Sequence, residues 1–237
     1  KSVKNPWGGS SKETKRILEK LHHHGYLRVS RRENGIRIYQ VPEDGDDKRE
    51  GSRDRYRLLA LANAEVFGPT TMRFLLTELR SQNHLLPNRA DRVAVIESLV
   101  QAGELTKTEV DGIPYVSTKK ALASDDLPNR VRILAPFDPL VRNRERFEQL
   151  WNWSYRFEAY VPAAKRERGY YAMPVLWRDD VIGWSNATVV ENRLRVEFGY
   201  ISNRPKPKTF LRLAEAEVQS LAFFLGLDED AWDLKSR

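Results

Sequence analysis

Residues 88–117 read NRADRVAVIESLVQAGELTKTEVDGIPYVS. Asn88 is a good helix cap, Val93, Ile96, Leu99 and Val100 recur at helical spacing, and Gly103 is a natural stop. Residues 104–110 and 113–117 then read as two strands around Asp111-Gly112. That dipeptide accepts the positive φ angles of a tight hairpin turn. A helix followed by a hairpin closes a winged helix, and the earlier parts stand just upstream. One helix is predicted over residues 56–67, and another over residues 70–79 after Gly68-Pro69. Residues 55–118 are therefore expected to form a complete winged helix-turn-helix of three helices and two strands.

The same closing pattern occurs in residues 10–41, SSKETKRILEKLHHHGYLRVSRRENGIRIYQV. Ser10 and Glu13 have capping-box spacing, Ile17, Leu18 and Leu21 follow on one helical face, and Gly25 is the stop. Residues 26–31 and 36–41 flank Asn34-Gly35 as a second hairpin. Aligning Gly25 with Gly103 superimposes Leu18 on Ile96, Leu21 on Leu99 and Leu27 on Leu105. No earlier helices precede this copy; residues 5–9 read as loop. A lone helix and hairpin bury too little to fold independently. Residues 1–41 are thus expected to be the last helix and wing of a truncated winged helix. A chain that opens on Lys1 without an initiator Met fits a portion of a longer protein. Residues 42–54, rich in Asp, Glu, Lys, Arg and Gly, read as a linker.

Residues 127–237 have a different texture. A short apolar run at 131–134 leads into Pro136-Phe137-Asp138-Pro139, and a charged helix is predicted over residues 143–150. Four β-rich runs follow, at 155–161, 170–177, 181–190 and 194–201, with short polar separators. They predict an antiparallel meander, curled as a small barrel or sheet. A helix over residues 207–225 would cover it through Phe210, Leu213, Ala214, Val218 and Leu221. The fold class is α+β: tandem winged helices followed by this β-rich domain and its C-terminal helix.

Composition narrows the function classes. The 237 residues are 41% hydrophobic and 31% charged, as in a folded soluble protein. No Cys is present, which excludes disulfide scaffolds, thiol chemistry and Cys-ligated zinc. Apolar runs such as 221–225 are far short of the roughly 18 residues a bilayer span needs, so no membrane role is expected. The net charge of +7 is uneven. Residues 1–57 carry 15 basic and 9 acidic side chains, residues 58–126 carry 7 and 9, and residues 127–237 carry 18 and 15. Basic stretches around a nearly neutral middle point to an extended polyanion, nucleic acid first, against a merely solvated basic surface.

The densest cations are in the first hairpin unit. Lys12, Arg16 and Lys20 share a helical stripe, and Arg28, Arg31, Arg32 and Arg37 lie on the wing. They are expected to meet the phosphates of double-stranded DNA, the helix in the major groove and the wing on the backbone. Arg142, Arg144 and Arg146, with Lys165, Arg166 and Arg168, form a second candidate rim. In residues 55–118 the helix offers only Arg89 and Arg92 and the wing is mixed in sign, so that unit is expected to be packed internally or against other protein.

At the second half the chain resembles a known family. The run 135–141 (APFDPLV) with Arg144, Arg146, Phe147 and Leu150, the run 155–166 (YRFEAYVPAAKR), then Gly169-Tyr170-Tyr171 and Pro174-Val175-Leu176, are very like the C-terminal signature of the YcaQ-type proteins. That resemblance is dense over residues 130–201 and looser, but correctly ordered, over residues 1–118. It implies three winged helices followed by a β-rich domain, in a bacterial, cytoplasmic and nucleoid-associated monomer. It implies a DNA glycosylase that unhooks interstrand crosslinks or excises alkylated bases, with no cofactor. The family's catalytic feature is Gln-x-Asp or Gln-x-Gln in its first winged helix. Neither occurs here: Gln40, Gln82, Gln101, Gln149 and Gln219 are all followed by other residues. No catalytic residue is therefore assigned, and the chain alone is expected to be inactive. Family members often carry Gly-Arg-x-Asp where this chain has Gly183-Trp184-Ser185-Asn186.

Other chemistry is weaker. Asp138, stiffened by Pro136 and Pro139, is the most prominent carboxylate, but an Asp there also reads as an acceptor of turn amides. His22-His23-His24 cannot converge on one ion, because neighbouring helical side chains point about 100° apart; no metal is expected. Trp151, Trp153, Trp177 and Trp184 could stack on bases but fit a core better. Two rivals stay open: a winged-helix regulator with a ligand-sensing β-domain, and a protein-interaction module.

Overall fold

A computed structural model of the chain describes residues 2–4, 10–42, 51–122, 128–202, 205 and 208–236. The chain divides into two units, residues 1–51 and 52–237. Loop 5–9, most of the linker at 42–54 and the Asp125-Asp126 pair lie outside the described residues.

In the first unit β1 (Ser2–Lys4) pairs antiparallel with β2 (Ser10–Lys12), and α1 (Glu13–His23) follows directly. The expected capping box does not form. Ser10 lies in the extended β2, and the cap position falls to Lys12, which supplies no acceptor to the free helix amides. The hairpin forms as read: β3 (Arg28–Glu33) and β4 (Ile36–Gln40) flank Asn34 and Gly35, whose φ angles of 47° and 78° are those the sequence implied. A bulge between Val29 and Arg31 shifts the register, and Ser30 Oγ donates to the Ile38 carbonyl at 3.2 Å.

The second unit opens with α2 (Ser52–Phe67) and α3 (Met72–Glu78), the latter capped by Thr71, which accepts from Phe74 N–H. A 3-10 turn, Leu79–Gln82, then leads to α4 (Arg89–Gln101). Asn88 caps α4 as expected, accepting from Ala90 N–H at 3.0 Å. β5 (Leu105–Val110) and β6 (Ile113–Thr118) turn through Asp111 and Gly112, at φ 52° and 75°. Thr70 bridges to Val116. The apolar positions of the helical pattern meet in one core of Tyr56, Ala60, Ala64, Leu75, Leu79, Ile96, Leu99 and Leu105.

β7 (Val131–Ile133), α5 (Pro139–Arg142), α6 (Arg144–Trp151), β8 (Met173–Trp177), β9 (Asp180–Val190), β10 (Arg193–Tyr200), α7 (Lys208–Phe224) and β11 (Trp232–Ser236) complete the unit. The five strands form an open sheet in the order β7-β8-β9-β10-β11. Two features differ from the predicted meander. Residues 155–161 are not a strand; they run as an irregular segment that pairs with no strand among the described residues and ends in a turn. The C-terminal β11 joins the sheet edge parallel to β10, where a purely antiparallel sheet was expected. α7 covers the sheet as read: Phe210, Ala214, Val218 and Ala222 pack on Val175, Leu194, Val196 and Phe198. Burying a side chain the size of Phe210 stabilises the unit by roughly 2–3 kcal/mol. β9 and β10 approach so closely that a Cβ on Gly183 would lie 2.0 Å from the Gly199 carbonyl oxygen. Trp184 covers Gly199 in the same way, its ring 2.4 Å from where a Cβ would stand.

The two halves of the second unit are joined through α5 and α6. Asn143 caps α6, accepting from Arg146 N–H, and its amide donates to Thr70 Oγ1 at 3.4 Å. Tyr115 donates its hydroxyl to Gln149, whose own amide donates to the Val110 carbonyl at 3.0 Å.

Candidate nucleic-acid interface

All seven cations assigned to the first unit are exposed. Lys12 is at the cap of α1, Arg16 and Lys20 follow along it, Arg28, Arg31 and Arg32 lie on β3 and Arg37 on β4. Two have partners. Arg31 Nε is 2.7 Å from Glu33, and Arg37 is 3.7 Å from Glu19. Lys12, Arg16, Lys20, Arg28 and Arg32 make no ion pair or side-chain hydrogen bond among the described residues. Arg32 stands directly opposite Arg37 in the ladder, an unfavourable pairing of like charges that an anion between them would relieve. Lys12, Lys15, Glu19, Arg32, Arg37 and Tyr39 line a cavity of about 520 Å³ between α1 and the hairpin.

The second candidate rim is largely consumed by the fold. Arg146 is 4% exposed, and its guanidinium donates to four carbonyls. Nη1 reaches Phe67 at 2.5 Å and Pro69 at 2.6 Å, and Nη2 reaches Pro139 at 2.6 Å and Leu140 at 3.4 Å. Burial pushes its pKa down, opposed by Tyr115 and Asp138, but a guanidinium stays charged. It clamps the turn after α2 to α5 and is closed to phosphate. Arg142 pairs with Glu78 at 2.8 Å. Arg144 donates to the Pro136 carbonyl and lies 4.3 Å from the Tyr155 ring centroid, where burial lowers its pKa. Arg168, with 22% of its side chain exposed, stacks near Trp153 and Trp184. Arg166 donates to the Val161 carbonyl and packs on Tyr170. Lys165, in the 3-10 turn Ala163–Lys165, is the one exposed cation of this loop.

Asp138 is the cap of α5, its Oδ1 accepting from Leu140 N–H at 2.9 Å, so its turn-acceptor reading is the one observed. Trp153 is buried against Phe147 and Tyr155, and Trp177 packs on Phe210. The Tyr155 hydroxyl donates to the Ala172 carbonyl at 2.6 Å, and burial pushes its pKa up to about 12.

Two features escaped the sequence reading. The first is Glu158, 3% exposed, which accepts N–H bonds from Glu167, Arg168 and Gly169 at 3.2, 2.9 and 3.1 Å. Burial alone would raise its pKa, but the three amides and Arg168 outweigh it and hold the carboxyl below its ordinary value. The folded state therefore favours the carboxylate. Its stabilisation is complete above pH about 4.5 and is lost as pH falls through the depressed folded value. Glu158→Gln is expected to cost about 2 kcal/mol at pH 7, because its NH2 would face amide donors. In urea unfolding the gap from wild type should narrow between pH 5 and pH 3; a gap unchanged by pH would show that the charge is not what holds the loop.

The second is a cavity of about 240 Å³ between α3 and α4, lined by Arg73, Leu76, Thr77, Arg80, Asn83, Arg89 and Arg92. Arg73 and Arg80 come from a stretch with no basic cluster in sequence, and only the helical hairpin brings them to Arg89 and Arg92.

The first unit is an exposed cationic helix and hairpin, and the second joins a helical core to an open β-sheet. The family model described as DNA glycosylase AlkZ-like matches residues 1–224, and the chain belongs to that family. Among solved structures it is similar to the Streptomyces sahachiroi DNA glycosylase AlkZ, at 18% sequence identity and a TM-score of 0.62. The match covers 98% of this chain and 57% of that one. At this identity the likeness is one of fold, and the chain spans a little over half of that protein's length.

Proposed function

We propose that this chain is the DNA-holding portion of a bacterial DNA glycosylase that unhooks interstrand crosslinks or excises alkylated bases. Membership of the AlkZ-like family supports the class of reaction. The observation that carries the holding role is the exposed set Lys12, Arg16, Lys20, Arg28 and Arg32, which have no anionic partner among the described residues. On this reading residues 10–41 are the helix and wing of one winged helix and residues 55–118 a complete second one. Contacts are chiefly to phosphates of the duplex, made by a monomer. The Gln-x-Asp or Gln-x-Gln feature associated with catalysis occurs nowhere in these 237 residues, so binding and not base excision is assigned to them.

The test is direct. The purified chain should bind a duplex with little sequence preference, and log K should fall steeply and linearly with log salt, because phosphate contacts release counterions. It should release no base from alkylated or crosslinked duplex. Excision by residues 1–237 alone would overturn the division of labour, and selective binding to one operator sequence would favour a regulator.

A further inference from the structure

The arginine-lined cavity between α3, the 3-10 turn Leu79–Gln82 and α4 joins Arg89 and Arg92 to two arginines, Arg73 and Arg80, that the sequence pattern did not single out. Four guanidinium groups border it, and no carboxylate does among the described residues. Glu145 lies 3.3 Å from Arg73, Glu78 is held by Arg142 at 2.8 Å, and Asp91 is exposed on the first turn of α4. Arg92 is fixed from behind, its Nη1 donating to the Leu86 and Pro87 carbonyls at 2.6 and 2.7 Å. Arg80 and Arg89 are exposed and have no side-chain partner among the described residues. Arg89 is also the first residue of the 13-residue α4, whose N-terminal dipole adds to the positive field.

Like charges gathered on a rigid framework repel one another, and one countercharge does not balance four cations. Such a site is stabilised by an anion, and paired guanidinium forks match the oxygens of a phosphate bidentately. We infer that this cavity is a phosphodiester site, in which Arg80 and Arg89, backed by Arg73 and Arg92, hold the backbone of duplex DNA. The assignment rests on the DNA-holding reading above and extends it to the unit whose sequence pointed to protein packing. A free inorganic phosphate has the same chemistry, so the test separates the two sources.

In the full chain, Arg80→Gln/Arg89→Gln is compared with wild type by fluorescence anisotropy on a labelled duplex between 50 and 200 mM salt. The exposed positions leave the fold intact, checked by circular dichroism. The double variant should bind about tenfold more weakly at 100 mM salt, and its log K against log salt should flatten by about 1 to 2. Arg80→Lys/Arg89→Lys should recover the slope and only part of the affinity, because an ammonium lacks the fork. If the double Gln variant keeps the wild-type slope while wild type binds well, the cavity assignment fails and the DNA-holding reading stands. If wild type binds no duplex even at low salt, both fail. If inorganic phosphate at constant ionic strength raises the melting temperature of wild type but not of the variant, with the duplex slope unchanged, the site takes a free anion and the backbone assignment is overturned.

Discussion

Arg146→Ala is expected to destabilise the 52–237 unit by about 4 kcal/mol and to lower its melting midpoint by about 10 °C. The substitution strands four carbonyls, those of Phe67, Pro69, Pro139 and Leu140, in a site from which water is excluded. Each loses a charge-assisted bond, and removing one side of a buried polar cluster costs far more than the cluster contributes net. Arg146→Lys should recover less than half of the loss, because one ammonium cannot reach carbonyls on both sides of the clamp. Urea unfolding of the three proteins measures this. A loss below about 1 kcal/mol for the alanine variant would mean that the clamp is incidental. The Lys variant, assayed where it is folded, should keep the wild-type salt dependence of duplex binding, since the buried guanidinium meets no phosphate.

The opposite pattern is expected for Arg16, Lys20, Arg28 and Arg32. Replacing all four with alanine should reduce duplex affinity by about 10²–10³ at 100 mM salt and flatten the salt slope by about 3 to 4, near 0.9 per lost phosphate contact. Stability should change by less than about 1 kcal/mol, because all four side chains are exposed and without partners among the described residues. An unchanged slope would place the duplex elsewhere on the chain. Together the two experiments separate arginines that build the protein from arginines available to a ligand.

That separation is where the sequence was least informative. Helices and hairpins with local signals came through: the Asn88 cap, the positive-φ turns at Asn34-Gly35 and Asp111-Gly112, and the apolar face of α7. Each depends on residues within a few positions of one another. The errors share the opposite property. Arg142, Arg144 and Arg146 look like an accessible basic run, and what buries Arg146 is carbonyls as far as 79 residues away in sequence. Residues 155–161 alternate like a strand in sequence, but the side chains that are buried are Tyr155, Glu158 and Val161, three apart, and the polar groups are met by Ala172 and the 167–169 amides instead of a ladder. β11 could not be foreseen as parallel, because its partner β10 is reached only after the whole of α7. At the candidate interface the first-unit cations are as exposed as the sequence implied, whereas the Arg73–Arg92 cavity depends on how two helices cross.

The links through α6 also decide what an unfolding experiment will report. Apart from Trp7, every tryptophan lies between Trp151 and Trp232, so residues 52–118 contain no intrinsic fluorophore of that kind. Yet the Arg146 clamp, the Tyr115–Gln149 bond and the Asn143–Thr70 contact tie that dark half to the bright one. Fluorescence and helix-sensitive circular dichroism should therefore trace a single coincident transition for residues 52–237. In Arg146→Ala the Tyr115–Gln149 and Asn143–Thr70 ties remain, so the two signals should move together to a lower denaturant concentration.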